Sequence, residues 1–218
     1  MAVATAAFLI VMGGGPTPEN GYLLGVRGAA AQNTAAIEGF RSARFGMTLK
    51  KVFGALNKDF GIGKDDVSKT QNAIEKTTSL LITVNNLIPG SGPAIIAYIF
   101  GYESKKLIQI NIIWTGEGKT LASAENLVAT GNILRNYFSD QEFPEEGLLK
   151  NQRLTNGSIV MFRGVDAKGR AVVLQLNVEQ IAGSEEGTAS ETNVSSLNLS
   201  YILDSTAPDI FKVNAGEF

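Results

Sequence analysis

The sequence predicts an α+β fold: an antiparallel meander sheet with helices on one face, built from two topologically similar helix-plus-three-strand units. Two segments carry apolar residues at helical spacing, six others read as strands by period-two alternation or as short apolar runs, and the order helix, strand, strand, strand occurs twice. A parallel sheet would need a crossover between each pair of strands, and two helices cannot supply that for six strands.

Residues 1–31 read as a signal-peptide-like or flexible segment. The apolar run Ala2–Met12 is too short for a bilayer span, which needs about 20 residues, but it suits a signal-peptide core. Ala29-Ala30-Ala31 before Gln32 has the small-residue pattern of a cleavage site, although no Lys or Arg precedes the apolar run. No Cys follows the run, so a lipoprotein anchor is excluded there.

The first unit is expected over 32–116, after a linker at 32–39. Thr48 is the predicted N-cap of a helix with Leu49, Val52, Phe53, Leu56 and Phe60 on one stripe, ended by Gly61 and Gly63. Alternation at Leu80, Ile82 and Val84 predicts the first strand, and Ala94 to Phe100 the second. Ile108, Ile110, Ile112 and Trp114 predict the third, with Gln109 and Asn111 on its other face.

The second unit is expected over 117–218, the two together making one compact domain. Ala124, Leu127, Val128, Gly131, Leu134 and Phe138 predict a helix from about Leu121 to Phe138. Strands follow at Ser158–Arg163, Ala171–Glu179 and Ser195–Leu203, with a hairpin turn at Asp166–Gly169 and a long polar loop at Gly183–Thr192.

Composition narrows the chemistry. The chain has no Cys and no His, which removes thiol nucleophiles, thiolate metal sites, Ser-His-Asp triads and the commonest general base. The net charge is −2 and the basic pairs Arg41/Arg44, Lys50-Lys51 and Lys105-Lys106 are scattered, so no stripe suited to nucleic acid is present. No cofactor and no metal site are expected. The paired acids Asp65-Asp66, Glu145-Glu146 and Glu185-Glu186 read as solvated loops, and Trp114 as core.

Phe45-Gly46-Met47-Thr48-Leu49-Lys50-Lys51-Val52 resembles the opening of small exported helix-then-meander modules, the BamE/SmpA-like assembly proteins and the beta-lactamase-inhibitor-like proteins, the latter built as two such repeats. The run from Gly39 to Phe60 is also similar to uncharacterised exported proteins of alphaproteobacteria. These resemblances imply a binding or assembly role and carry over no site residues.

One motif points to an enzyme. Thr115-Gly116-Glu117-Gly118-Lys119-Thr120 follows a strand and precedes a helix, as a phosphate-binding loop does. Gly116, Gly118, Lys119 and Thr120 would hold the nucleotide, with Asp204 as a magnesium-holding acid. Against this, Ile113 stands where that pattern wants Gly, and the preceding strand belongs to a meander.

The leading expectation is a non-catalytic periplasmic or otherwise exported module that binds a partner protein. It would be an accessory subunit or assembly factor of a periplasmic or membrane-associated complex, a membrane-bound dehydrogenase among them. The alternatives are the nucleotide-binding loop and a small-ligand carrier, for which apolar pockets lined by strand residues would be the sign.

Overall fold

The computed structural model describes residues 35–115, 122–181, 191–213 and 216. A small hairpin comes first, β1 (Gly39–Phe40) with β2 (Ala43–Arg44), then helix α1 (Leu49–Phe60) and a 3-10 turn at Lys64–Asp66. Four strands follow: β3 (Ser68–Gln71), β4 (Thr78–Val84), β5 (Ala94–Phe100) and β6 (Leu107–Thr115). The second half runs α2 (Ala124–Ser139), β7 (Leu149–Arg153), β8 (Ile159–Val165), β9 (Ala171–Ile181) and β10 (Glu191–Ile202). Strands β3 to β10 form one antiparallel sheet in the order β3-β4-β5-β6-β10-β9-β8-β7. Each half is a meander, and the halves join where β10 pairs with β6, Leu197 opposite Trp114 and Leu199 opposite Ile112.

The α+β class agrees with the sequence, but four strands follow each helix rather than three. The missed strands are Ser-Lys-Thr-Gln (β3) and Leu-Lys-Asn-Gln-Arg (β7), which lie at the two sheet edges and are largely exposed. Edge strands need no apolar face, and charged side chains there discourage pairing with other chains, so periodicity gives no sign of them. The hairpin β1–β2 also begins within the expected linker. Residues 1–31 and most of the expected loop Gly183–Thr192 lie outside the described residues, and β10 already begins at Glu191.

Both helices have their ends satisfied locally. The Thr48 hydroxyl accepts from the Lys51 N–H, and Gly61 closes α1 in the left-handed region with its N–H on the Asn57 carbonyl. Helix α2 starts at Ala124 rather than Leu121, because the Ser123 hydroxyl caps the Asn126 N–H at 3.2 Å.

Inward residues of the central strands build one buried cluster with both helices. Val52 and Leu56 of α1 and Leu127 and Phe138 of α2 pack with Leu80, Ile96, Tyr98, Ile110, Ile112, Trp114, Leu174 and Leu199. Each such Leu or Phe side chain contributes about 1.5–3 kcal/mol when removed from water. The other face holds a smaller apolar cluster, Val160, Ala171, Val173 and Ile202, beside a stripe of amides. There Gln109 donates to Asn111 at 2.8 Å, Gln175 to Asn177 at 2.6 Å, and Asn177 to the Ser196 hydroxyl at 2.9 Å.

The two ends of the described chain each hold the opposite half. The Ile37 N–H donates to Asp166 Oδ2 at 3.0 Å and the Arg170 guanidinium donates to the Ile37 carbonyl at 2.9 Å, tying the first segment to the β8–β9 turn. After β10, Asp209 accepts from the N–H groups of Glu103 and Ser104 at 2.8 and 2.9 Å, the Phe211 N–H donates to the Glu75 carbonyl, and Phe211 packs edge-on against Tyr102.

Asp166 is 5% exposed and also accepts from the Lys168 and Arg170 N–H groups. Asp166→Ala strands three donors, so urea denaturation is expected to show a loss of about 2–3 kcal/mol. A loss within experimental error would show that water satisfies them.

The second prediction concerns acid. Asp204 is held below the usual carboxylate range by the N–H of Ala207 and by the hydroxyl and N–H of Thr206. At Asp209 burial opposes ionisation, but the hydrogen bonds from Ser104 and from the N–H groups of Glu103 and Ser104 leave its carboxyl lowered too. A depressed carboxyl stabilises the fold above its unfolded value, near 3.8, and loses that contribution as pH falls below it. Hydrogen-exchange protection of the Phe211 amide is therefore expected to fall below about pH 3.8, ahead of the core amides. Simultaneous loss of all amides would count against a separately anchored tail.

Candidate functional site

A cavity of about 730 Å³ opens over the seam between the halves. Ile112 and Trp114 of β6 and Leu199 and Tyr201 of β10 line it from the sheet. Helix α2 contributes Ile133, Leu134, Tyr137 and Phe138, the hairpin contributes Gly39, Phe40, Arg41 and Arg44, and Leu87 and Ile88 come from the β4–β5 connection. A smaller cavity of about 470 Å³ shares Gln141 and Phe143 with it.

Aromatic contacts set the shape. The Tyr201 ring lies 5.8 Å from Phe40 and 6.3 Å from Phe138, and Phe138 stacks at 5.7 Å on Phe162. Trp114 is fully buried, and its indole N–H donates to the Ser91 hydroxyl at 3.1 Å. The reading of Trp114 as core therefore holds, and the residue lies beneath the cavity as part of its lining. Burial and the neighbouring Tyr137 push the Tyr201 hydroxyl well above the usual tyrosine value, so it remains a neutral donor.

The hairpin is pinned by the end of α1. Asp59 accepts from the Ser42 N–H at 2.8 Å, and its carbonyl accepts from Arg41 at 3.3 Å. Gly39 has a φ of 142°, and a Cβ there would collide with the Ala43 carbonyl, so the tight return of the chain requires glycine. Arg41 sits in the left-handed region at a φ of 51°, a conformation that costs about 1 kcal/mol. Its guanidinium is 4.7 Å from the Phe60 ring centre and 5.6 Å from that of Phe40. Arg44 is half exposed and meets Glu38 at 3.9 Å.

The rim is apolar and open to water: Ile133 is 55% exposed and Tyr137 60%. Among the described lining residues the charged side chains are Arg41 and Arg44, with no carboxylate. The site offers an apolar body, aromatic faces and a cationic edge.

Gly116, Gly118, Lys119 and Thr120 lie outside the described residues. The strand leading to them, β6, is antiparallel to both neighbours. Asp204 follows β10 at the end where Leu203 bonds to Ile108, the full length of β6 from Thr115 and roughly 25 Å away. Asp204 instead caps its own turn. Asp65, Asp66, Glu145 and Glu146 are exposed, Glu185-Glu186 falls outside the described residues, and no group of three or more acidic residues among the described residues could hold a metal ion.

Sequence reading missed this site. Arg41, Arg44, Phe40, Tyr137 and Tyr201 converge from segments far apart in the chain, and of these only the basic pair was singled out in the sequence. Comparison with known proteins finds no matching family model, no matching curated protein and no matching solved structure.

The Tyr98 hydroxyl is fully buried with no hydrogen-bond partner among the described residues, and burial, with the charge of Asp59, pushes it up despite nearby Arg41. Tyr98→Phe removes an unsatisfied group that costs about 1–3 kcal/mol, so the melting temperature is expected to stay level or rise. A clear fall would reveal a partner, such as a bound water.

Proposed function

We propose that the protein binds a small apolar or amphipathic ligand in the seam cavity and performs no chemistry on it. The observation that carries this is the cavity itself, about 730 Å³ in volume and lined by sheet, helix and hairpin residues that are mostly apolar or aromatic. That size lies within the range of ligand pockets, roughly 300–1,000 Å³. Helix followed by four strands in each half supports reading the two halves as a duplicated unit, with the site on their junction.

A second reading keeps the exported accessory subunit or assembly factor. Ile133 and Tyr137, one turn apart and exposed on α2, favour it, because a partner protein could cover them. The apolar run Ala2–Met12 supports export under either reading. Among the described residues no helix is long and apolar enough to cross a membrane.

Titration of the purified full chain with the uncharged dye N-phenylnaphthylamine tests the ligand reading by fluorescence. Saturable binding is expected, and Leu134→Trp, which places a larger ring in the cavity, is expected to weaken it about tenfold or more. Absence of saturable binding, or equal binding by the variant with its fold intact, would overturn the proposal.

A further inference from the structure

We infer that the cavity selects an amphipathic anion, a carboxylate, sulfonate or phosphate head on an apolar or aromatic body. The inference rests on the ligand-binding reading above and specifies its ligand. Its basis is the one-sided charge of the site: Arg41 and Arg44 line the hairpin wall, and no carboxylate is among the described lining residues.

Both guanidiniums have donors to give. Arg41 uses one N–H on the Asp59 carbonyl, and its stacking on Phe60 and Phe40 holds the planar group in place without consuming the others. Among the described residues Arg44 has one ion-pair contact, 3.9 Å to Glu38, both side chains about half exposed, an arrangement of little strength. An anionic head would compete with that contact and gain charge-assisted hydrogen bonds. A cationic ligand would meet two like charges, and a neutral one would use neither arginine. The body would lie along Ile133, Leu134 and Tyr137 of α2, where the lining is apolar or aromatic and accessible.

The test compares two probes with the same aromatic body, anilinonaphthalene sulfonate and uncharged N-phenylnaphthylamine, titrated into the purified full chain. The sulfonate is expected to bind about tenfold tighter, consistent with one charge-assisted contact, and its affinity to fall with added salt. Arg44→Gln combined with Arg41→Asn is expected to abolish that preference, so that the folded variant binds the two dyes with equal affinity whatever the absolute value. Asn is chosen at position 41 because it tolerates the left-handed backbone there. Should the double variant not fold, Arg44→Gln alone, at an exposed position, is expected to weaken the sulfonate about threefold.

Equal affinity of the native protein for both dyes, or an unchanged preference in a folded arginine variant, would overturn the anion inference while leaving the cavity a binding site. Failure of both dyes to bind would remove the ligand-binding reading and this inference with it.

Discussion

Strand β6 pairs with β10 from Ser196 opposite Thr115 to Ile202 opposite Gln109, and the larger features of the molecule depend on that pairing. Each half alone would be a four-stranded meander with a strand that carries a buried apolar face, β6 or β10, at an open edge, an invitation to pair with other chains. Joining the two last strands buries both edges at once and leaves β3 and β7, the polar strands, at the margins. The register also matters. It aligns Trp114 with Leu197, Ile112 with Leu199 and Ile110 with Tyr201, so the helix side of the seam is apolar without interruption. A slip of β10 by one residue would bring Asn198 and Ser200 to that side and send Leu197 and Leu199 to the other.

Sheet pairing is reinforced by crossing the chain ends. Residues 35–37, which precede α1, bond to the second half at Glu142, Asp166 and Arg170. Residues 209–211, which follow β10, bond to the first half at Tyr102, Glu103, Ser104 and Glu75. Separating the halves would therefore break contacts at three places together: the seam and both clasps. The hairpin that walls the cavity lies between the first clasp and α1, so its position depends on both halves.

Much of this was legible in the sequence where one face of an element is buried. Val52 and Leu56 follow helical spacing because α1 buries a stripe, and Leu80, Ile110, Leu174 and Leu199 alternate because their strands have one face on the helices. Ser68–Gln71 and Leu149–Arg153 were illegible because an edge strand is held by backbone hydrogen bonds, which leave no residue pattern. The cavity was illegible for a different reason. Phe40, Arg41, Tyr137 and Tyr201 belong to segments whose approach is set by the β6–β10 register and by Asp59 holding the hairpin, neither of which is a local property. Arg41 shows the limit most clearly: its left-handed backbone comes from a two-residue return between Phe40 and Ala43, with nothing in its neighbours to announce it.

That left-handed arginine bears on how the site is built. A glycine or asparagine at position 41 would turn the hairpin at lower conformational cost, so the strain has to be offset by the side chain. The contacts over Phe60 and Phe40 and the bond to the Asp59 carbonyl supply that compensation, worth roughly 0.5–1 kcal/mol at an exposed guanidinium. The consequence is a cation whose orientation is fixed before any ligand arrives. Ordering a long flexible side chain on binding costs about 0.5–1.5 kcal/mol, and here the fold has already met that cost. A lysine would keep the charge but lose the planar stack and the fixed fork of donors. The hairpin thus joins two properties that the proposed ligand requires, a rigid apolar wall at Phe40 and a preset charge beside it, and both depend on α1 ending where Asp59 can hold Ser42.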